Sequence, residues 1–232
     1  MHRLREPELM DDPCLDEHLH LEALGGLERL NFWSWSANVL WHPIRELVTQ
    51  ERRVPLRVLD IATGGGDIPT HLWHLAKKSS IDLHIDGSDL STRAIEYAQK
   101  HAETAGAQVG FFQLDALKDD LPANYDVIVS SLFFHHLADD QVVALLKKMS
   151  QAANRAVLIN DLERSHLNLS LVFVASKALS RSPVVHHDGV ASVRAAFTIA
   201  EMQSLAAQAG MTQCTIERRF PCRFLLKWIR QP

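Results

Sequence analysis

Three clusters in this 232-residue chain combine residue types and spacing suited to chemistry. The first is Asp60-Ile-Ala62-Thr63-Gly64-Gly65-Gly66-Asp67, which ends an apolar run and holds three of the ten glycines. Consecutive glycines let the backbone turn sharply and let a ligand approach where a Cβ would block it. A helix starting there offers free N–H groups. The second cluster is His135-His136, just beyond the apolar run YDVIVSS, where an imidazole can take a proton from a hydroxyl at neutral pH. The third is His186-His187-Asp188-Gly189, read as a polar turn in which Asp188 orients His187 and makes it more basic. His187 therefore competes with His136 and His135 for the role of base. Asp161 and Arg164, in NDLERS, are expected on the substrate side with Asp188.

The glycine cluster excludes some ligands. No Gly-Lys-Ser or Gly-Lys-Thr occurs, which removes a P-loop. A dinucleotide fingerprint would fall on Ala62, Gly64 and Asp67, putting a carboxylate where the third glycine must permit close helix packing. A dehydrogenase is therefore a third choice. Acids on both sides of the loop suit a ligand carrying an amine and a sulfonium positive charge in place of pyrophosphate.

The elements that must position these clusters follow from the texture of the chain. After Pro55, the runs RVLDIA, LHIDGS, VGFFQL, YDVIVS and AVLIND recur about 20 to 30 residues apart with helix-like segments between them, which predicts a parallel sheet with right-handed crossovers. Ser91 is expected to cap a helix that Gly106 ends, and Thr198 with Glu201 forms a capping box for a helix stopped by Gly210. TQCTIERR and FPCRFLLKWI read as an antiparallel strand pair at the sheet edge. Residues 1–54 form a helical cap, with two short helices broken at Gly25-Gly26 and a tryptophan-rich segment that Pro43 interrupts; Trp33 is a candidate wall of the substrate site. Residues 55–232 form the main domain, and residues 163–197, which fit no βα unit, are expected to be a lid.

With these residues in place, the chain resembles the class I S-adenosylmethionine-dependent methyltransferases, whose first motif is an acid followed by GxGxG. Here that motif reads Asp60-Ile-Ala62-Thr63-Gly64-Gly65-Gly66, with Ala62 replacing the first glycine. The resemblance spans roughly residues 55 to 228. It implies a doubly wound, Rossmann-like α/β fold with a seven-stranded, mostly parallel sheet whose last strand is antiparallel. It also implies S-adenosyl-L-methionine as cofactor, with S-adenosyl-L-homocysteine as product. Asp60, Ala62, Thr63, Gly64 and Gly66 would form the loop, Asp89 followed by Leu90 would meet the ribose, Asp115-Ala116 would lie beside the adenine, and Ser131 would end the fourth strand. His136 corresponds to the histidine of the family's HHL signature. Catechol-type members hold Mg²⁺ with carboxylates after the fourth and fifth strands; Ser131 stands at the first place, so no metal is expected. Base N-methyltransferases carry Asn/Asp-Pro-Pro-aromatic where this chain has Ser130-Ser131-Leu132-Phe133. MDDPCLDEHLHLEALGGLERLN, NDLERS and HHDGVASVRAAF are also similar to bacterial methyltransferases encoded beside type III polyketide synthases, which implies a phenolic or pyrone acceptor methylated at oxygen.

Composition sets the outer limits. Hydrophobic residues make up 47% and charged residues 22%, which excludes a disordered chain. Lys plus Arg number 24 against 28 Asp plus Glu, a net charge of −4 with no basic stripe, so a small-molecule partner is expected and nucleic acid is not. Three scattered cysteines without a CxxC, a polar start and no long apolar run give the expectation of a reduced, cytoplasmic protein with no membrane span. The expected reaction is methyl transfer to a hydroxyl of a small, largely apolar acceptor. The alternatives are carbon methylation of a quinol or electron-rich ring, and a noncatalytic cofactor-binding protein. The sequence fixes neither the acceptor nor an oligomeric state.

Overall fold

The computed structural model describes residues 1–12, 14–33, 35–50 and 55–231, apart from the side chains of Asp11, Glu17, His20, Leu27, Phe32, Trp33, Thr49 and Gln50. Two helices, α1 (Glu17–Trp33) and α2 (Ser36–Gln50), lead into the alternating part of the chain. There β1 (Leu56–Ile61), α3 (Asp67–Lys78), β2 (Leu83–Asp89), α4 (Thr92–Thr104) and β3 (Gly110–Gln113) form one half of the sheet. The other half is β4 (Val127–Ser131), α5 (Asp139–Ala152), β5 (Ala156–Leu162), α8 (Ile199–Gln208), β6 (Thr215–Arg219) and β7 (Arg223–Ile229). Between β5 and α8 the chain forms a helical pair, α6 (His166–Leu179) and α7 (Pro183–Ala195). Among the described residues, no helix is long and apolar enough to cross a membrane.

The seven strands are ordered β3-β2-β1-β4-β5-β7-β6, with β7 antiparallel to both of its neighbours and the first five strands parallel, as the sequence implies. Strand periodicity divides the core. Leu56 and Val58 of β1 pack with Leu40, Ile44 and Leu47 of α2 and Leu72 of α3, whereas Leu59 and Ile61 pack on the other face with Leu145 and Leu146 of α5 and Met202 of α8. The strand order reverses between β1 and β4, and at such a switch point the outgoing loops diverge and leave a crevice.

The predicted helix punctuation is present. Ser91 Oγ accepts from Ala94 N–H at 3.2 Å, Thr198 and Glu201 satisfy each other's backbone N–H groups, and Gly106 and Gly210 take φ of +68° and +85°.

Three local expectations are corrected. Gly25-Gly26 does not split α1, which runs unbroken: a Cβ on Gly26 would lie 2.6 Å from Ser180 Oγ and 2.9 Å from Val185 Cγ2, so this glycine allows α1 to approach the segment around α7. Pro43 does not interrupt α2, which continues through it with Ile44 and Leu47 anchored in the core. His186-His187-Asp188-Gly189 is no turn but part of α7, and a Cβ on Gly189 would lie 2.9 Å from Val172 of α6. In each case tertiary packing outweighs a local breaking tendency of about 1 kcal/mol for glycine and about 3 for proline.

Gly26 provides a test in which propensity and packing disagree in sign. Helix propensity alone makes Gly26→Ala stabilising by about 1 kcal/mol. The contacts with Ser180 and Val185 instead predict a loss of about 1–3 kcal/mol from overpacking, read as a lower chemical-denaturation midpoint with an unchanged slope.

Candidate active site

The crevice opens into a cavity of about 420 Å³, inside the roughly 300–1,000 Å³ range of small-molecule sites. Its floor is the loop after β1, one end is the turn after β4, and α1, α6 and the segment before β7 supply the walls. Leu24, Leu30, Leu171, Val172 and Leu179 make those walls largely apolar.

The loop is built on two left-handed residues that border the cavity. Gly64 has φ +55° and nothing within 4 Å of where its Cβ would be, so that face of the backbone is open to a ligand. Ala62 also has φ +55°, keeping the backbone of the glycine it replaces in the motif while carrying a methyl group. Gly66 serves packing instead: its Cβ would meet Ala98 at 2.7 Å and the Phe111 ring at 2.9 Å. Asp89, at the end of β2, braces the loop by accepting from Gly64 N–H and Ser91 N–H, both at 2.9 Å.

Two carboxyls face this floor with little solvent. Asp60 is 1% exposed, and its Oδ2 accepts from Thr63 Oγ1 at 2.7 Å. Its Oδ1 has no hydrogen-bond partner among the described residues, and the same holds for Oδ2 of Asp67. Burial pushes the Asp60 pKa up to about 8, against the Thr63 hydrogen bond and with the help of the nearby Asp67 and Asp89 charges. Burial also raises Asp67, against a hydrogen bond from Asn31 and the charge of His71.

At the other end, His135-His136 lie in a 3₁₀ turn (Phe134–His136) after β4. His135 is 2% exposed; its Nδ1 is 2.7 Å from Asp161 Oδ1, and its backbone N–H reaches Asp161 Oδ2 at 3.1 Å. Burial pushes the Asp161 carboxyl up, but the charge and hydrogen bond of His135 outweigh this and hold it below the usual carboxylate range. The His136 ring is tilted against that of His135 with centroids 4.3 Å apart, and both rings border the cavity.

Of the predicted residues, Asp60, Ala62, Thr63, Gly64, Ser131, His135 and His136 line this one cavity. Asp89, Leu90, Asp115 and Ala116 lie beyond its edge, at and after the ends of β2 and β3, and Gly66 is packed behind the loop. The expected substrate-side residues do not line it. Asp161 is buried behind His135. Arg164 is turned towards the carbonyls of Ala196 and Met1 and the Glu201 carboxylate. Asp188 accepts the backbone N–H groups of Leu9 and Met10 at 2.8 and 3.0 Å. His187, which is 2.9 Å from Asp188 through Nδ1, has a side chain 51% exposed and also lies off the cavity. Trp33 ends α1, and its side chain lies outside the described residues.

The sequence reading missed Glu8, Tyr97, Asn168 and Arg223, all of which border the cavity. Arg223 is buried at the start of β7, where burial lowers its pKa to about 10 against the charges of Asp161 and Asp67. Its register opposite Leu162 at the end of β5 could be found only once β7 was paired there.

Comparison with known proteins agrees with this geometry. Residues 58–155 match the family described as methyltransferase domain. The chain is 27% identical over 128 residues to a demethylmenaquinone methyltransferase of Thermus thermophilus, covering 54% of this chain and 56% of that protein. It is 23% identical over 171 residues to a ubiquinone biosynthesis O-methyltransferase of Paraburkholderia phytofirmans, covering 69% and 71%. The chain thus spans little more than half the length of the first of these relatives. Among solved structures, an O-methyltransferase-like protein of Nostoc punctiforme superposes with a TM-score of 0.63 at 17% identity, over 94% of this chain and 62% of that one. The magnesium protoporphyrin IX methyltransferase of Synechocystis, solved with S-adenosylhomocysteine, superposes with a TM-score of 0.58 at 16% identity, over 96% and 91%. The family match thus falls on the β1–α5 part of the chain, and the fold is one shared with solved methyltransferases.

The buried Asp60 carboxyl predicts a pH dependence of stability. Its folded pKa of about 8 lies above the unfolded value of 3.8, so the folded state holds a proton that the unfolded chain has released between those limits. This contribution is complete below about pH 4 and is lost as pH rises through about 8. The ligand-free wild type should therefore lose thermal stability between pH 5 and 9. Asp60→Asn, which cannot ionise, should decline less over the same range; parallel melting curves would refute the assignment.

Proposed function

We propose that this chain transfers the methyl group of S-adenosyl-L-methionine to a hydroxyl of a small, largely apolar aromatic or polyketide acceptor. The observation that carries the reading is a single apolar cavity joining the loop after β1 to the histidine pair after β4. The cofactor supplies, when bound, an electrophilic methyl on a sulfonium centre.

The residues present fit that cofactor. Asp60 Oδ1 and Asp67 Oδ2 are buried acceptors still needing a donor, and a cationic amine or sulfonium group can satisfy them. Gly64 lets the ligand lie against the backbone, and Asp89 both braces the loop and offers its carboxylate to ribose hydroxyls. Leu90, Asp115 and Ala116, at the ends of β2 and β3, are assigned to the ribose and adenine side. Ser131, with its Oγ accepting from Asn160 at 2.9 Å, borders the place where donor and acceptor meet. The chain's part in the reaction is alignment and water exclusion by the apolar walls, since orientation supplies much of such a rate. The acceptor hydroxyl gives up its proton at the His135-His136 turn. Residues 1–54 and 163–197 act as the acceptor-side cap, and the free thiols of Cys14, Cys214 and Cys222 suit a cytoplasmic setting.

Carbon methylation of a quinol is the second reading, favoured by the demethylmenaquinone methyltransferases among the relatives. Product analysis by NMR after turnover on phenol, pyrone and quinol panels separates oxygen from carbon. Binding of S-adenosylhomocysteine with no turnover on any panel would favour a noncatalytic role.

Two substitutions test the assignment. Gly64→Val should abolish S-adenosylhomocysteine binding in calorimetry while far-ultraviolet dichroism stays native, because a branched side chain fills the open face and opposes φ +55°. His136→Ala should lower kcat by about 10²–10⁴-fold with cofactor affinity kept, and His187→Ala should leave kcat unchanged. Loss of turnover in the His187 variant alone would move the site to α7.

A further inference from the structure

We propose that Glu8, His135 and His136 form a binding site for one divalent transition-metal ion at the acceptor end of the cavity. Glu8 Oε1 lies 3.8 Å from His135 Nε2, and Glu8 Oε2 lies 3.8 Å from His136 Nε2. One ligand atom from each residue falls within 4.8 Å of the others. These separations exceed a hydrogen bond of about 2.7–3.2 Å. They approach the roughly 3–3.6 Å between neighbouring ligands that each sit about 2.0–2.2 Å from a shared ion.

The surroundings are those of ligands held in place. Asp161 Oδ1, at 2.7 Å, fixes the proton on His135 Nδ1, which leaves the Nε2 lone pair directed at the cluster; carboxylates orient metal-binding histidines in this way. Ser192 Oγ donates to Glu8 Oε1 at 2.5 Å and orients the third ligand.

Glu8 is also held by its backbone. Asp188 accepts the N–H groups of Leu9 and Met10, next along the chain. Arg3 lies 3.6 Å over the Phe197 ring and donates to the carbonyls of His135, Leu137 and Ala195. The N-terminal segment thus grips the same turn that carries both histidines, and the three ligands are placed relative to one another by two separate sets of contacts.

Two imidazoles and one carboxylate select Zn²⁺, Co²⁺, Ni²⁺ or Fe²⁺ over Mg²⁺ and Ca²⁺, which require oxygen ligands. Three protein ligands leave a position open, as in catalytic rather than structural sites. All three ligands line the cavity, where an acceptor hydroxyl bound to the ion would become more acidic, as metal-bound water does, and would release its proton to solvent in place of a histidine. The role of the ion rests on the methyl-transfer reading; its binding does not.

The test uses the full chain, stripped with chelator and desalted, titrated with Zn²⁺ by calorimetry and with Co²⁺ by visible absorption. The expected result is one ion per chain with micromolar or tighter affinity, no response to Mg²⁺, and unchanged binding in His187→Ala. Glu8→Gln and His136→Ala should each weaken binding at least 10-fold, and Asp161→Asn by about 10- to 100-fold. S-adenosylhomocysteine affinity and dichroism report that each variant is folded. No Zn²⁺ or Co²⁺ binding to the wild type, or stoichiometric binding unaffected by Glu8→Gln and His136→Ala, overturns the proposal. If His136→Ala loses turnover while no ion binds the wild type, the site fails and the methyl-transfer reading stands. If the ion binds as expected and no acceptor on the panels is methylated, the site stands and that reading fails.

Discussion

Asp60 stands at the carboxyl end of β1 with one oxygen held by Thr63 and the other facing a cavity. A carboxyl so placed costs several kcal/mol unless it is protonated or meets a positive group. The sheet makes that position unavoidable. Asp60 pairs in register with Gly87 of β2 and Val129 of β4, with the hydrophobic Leu59 and Ile61 on either side of it in the chain, so it cannot turn to solvent without breaking the central strand. The loop, its left-handed residues and the bracing of Gly64 by Asp89 all follow from holding an acid at this switch point. A positive group brought to the free oxygen would relieve this cost.

The cap solves a different problem. Helices α6 and α7 interrupt the βα alternation and could not bury their apolar faces on the sheet alone; they pack on each other and on α1. Close approach is achieved with Gly26 on α1 and Gly189 on α7, each placed where any side chain would collide. The layer borders the cavity without belonging to the sheet's two cores, so the cavity walls from α1 and α6 are built separately from the floor after β1. Helix α2 differs, because Leu40, Ile44 and Leu47 share the core of β1, β4 and β5.

This division explains what the sequence could convey. The strand runs, the glycine loop, the caps at Ser91 and Thr198 and the His135-His136 pair beyond β4 are local signals: each is set by residues within a few positions, and each was legible. Glu8 was not, because it reaches the histidines across some 127 positions through contacts made by Arg3 and Asp188, and nothing in the polar run around it has a period or a motif. The same contacts account for Asp188, which reads as a catalytic carboxylate beside His187 but is consumed in anchoring the N-terminal segment. Arg164 is misread for a similar reason, its charge being spent on carbonyls and Glu201. Gly26 and Gly189 show the converse error, since a glycine needed for packing looks in sequence like a glycine needed for a turn.

Backbone strain marks where those two levels meet. Ala62 and Leu132 both adopt left-handed φ, +55° and +58°, just beyond β1 and β4, and both border the cavity from opposite sides of the switch point. An L-residue pays about 1–2 kcal/mol for this conformation. A leucine in the interior of a stable fold keeps it only where neighbours over-determine the geometry. At Leu132 they do: its N–H is fixed to Asn160 O at 2.9 Å, and the next residues enter the turn that Arg3 and Asp161 hold at both ends. Relaxing Leu132 would swing the histidines away from Glu8, so the strain and the alignment of the histidine turn are maintained by the same contacts. The loop after β1 thus leaves an open face at Gly64, while the turn after β4 is held by Arg3 and Asp161, which reach it from distant parts of the chain.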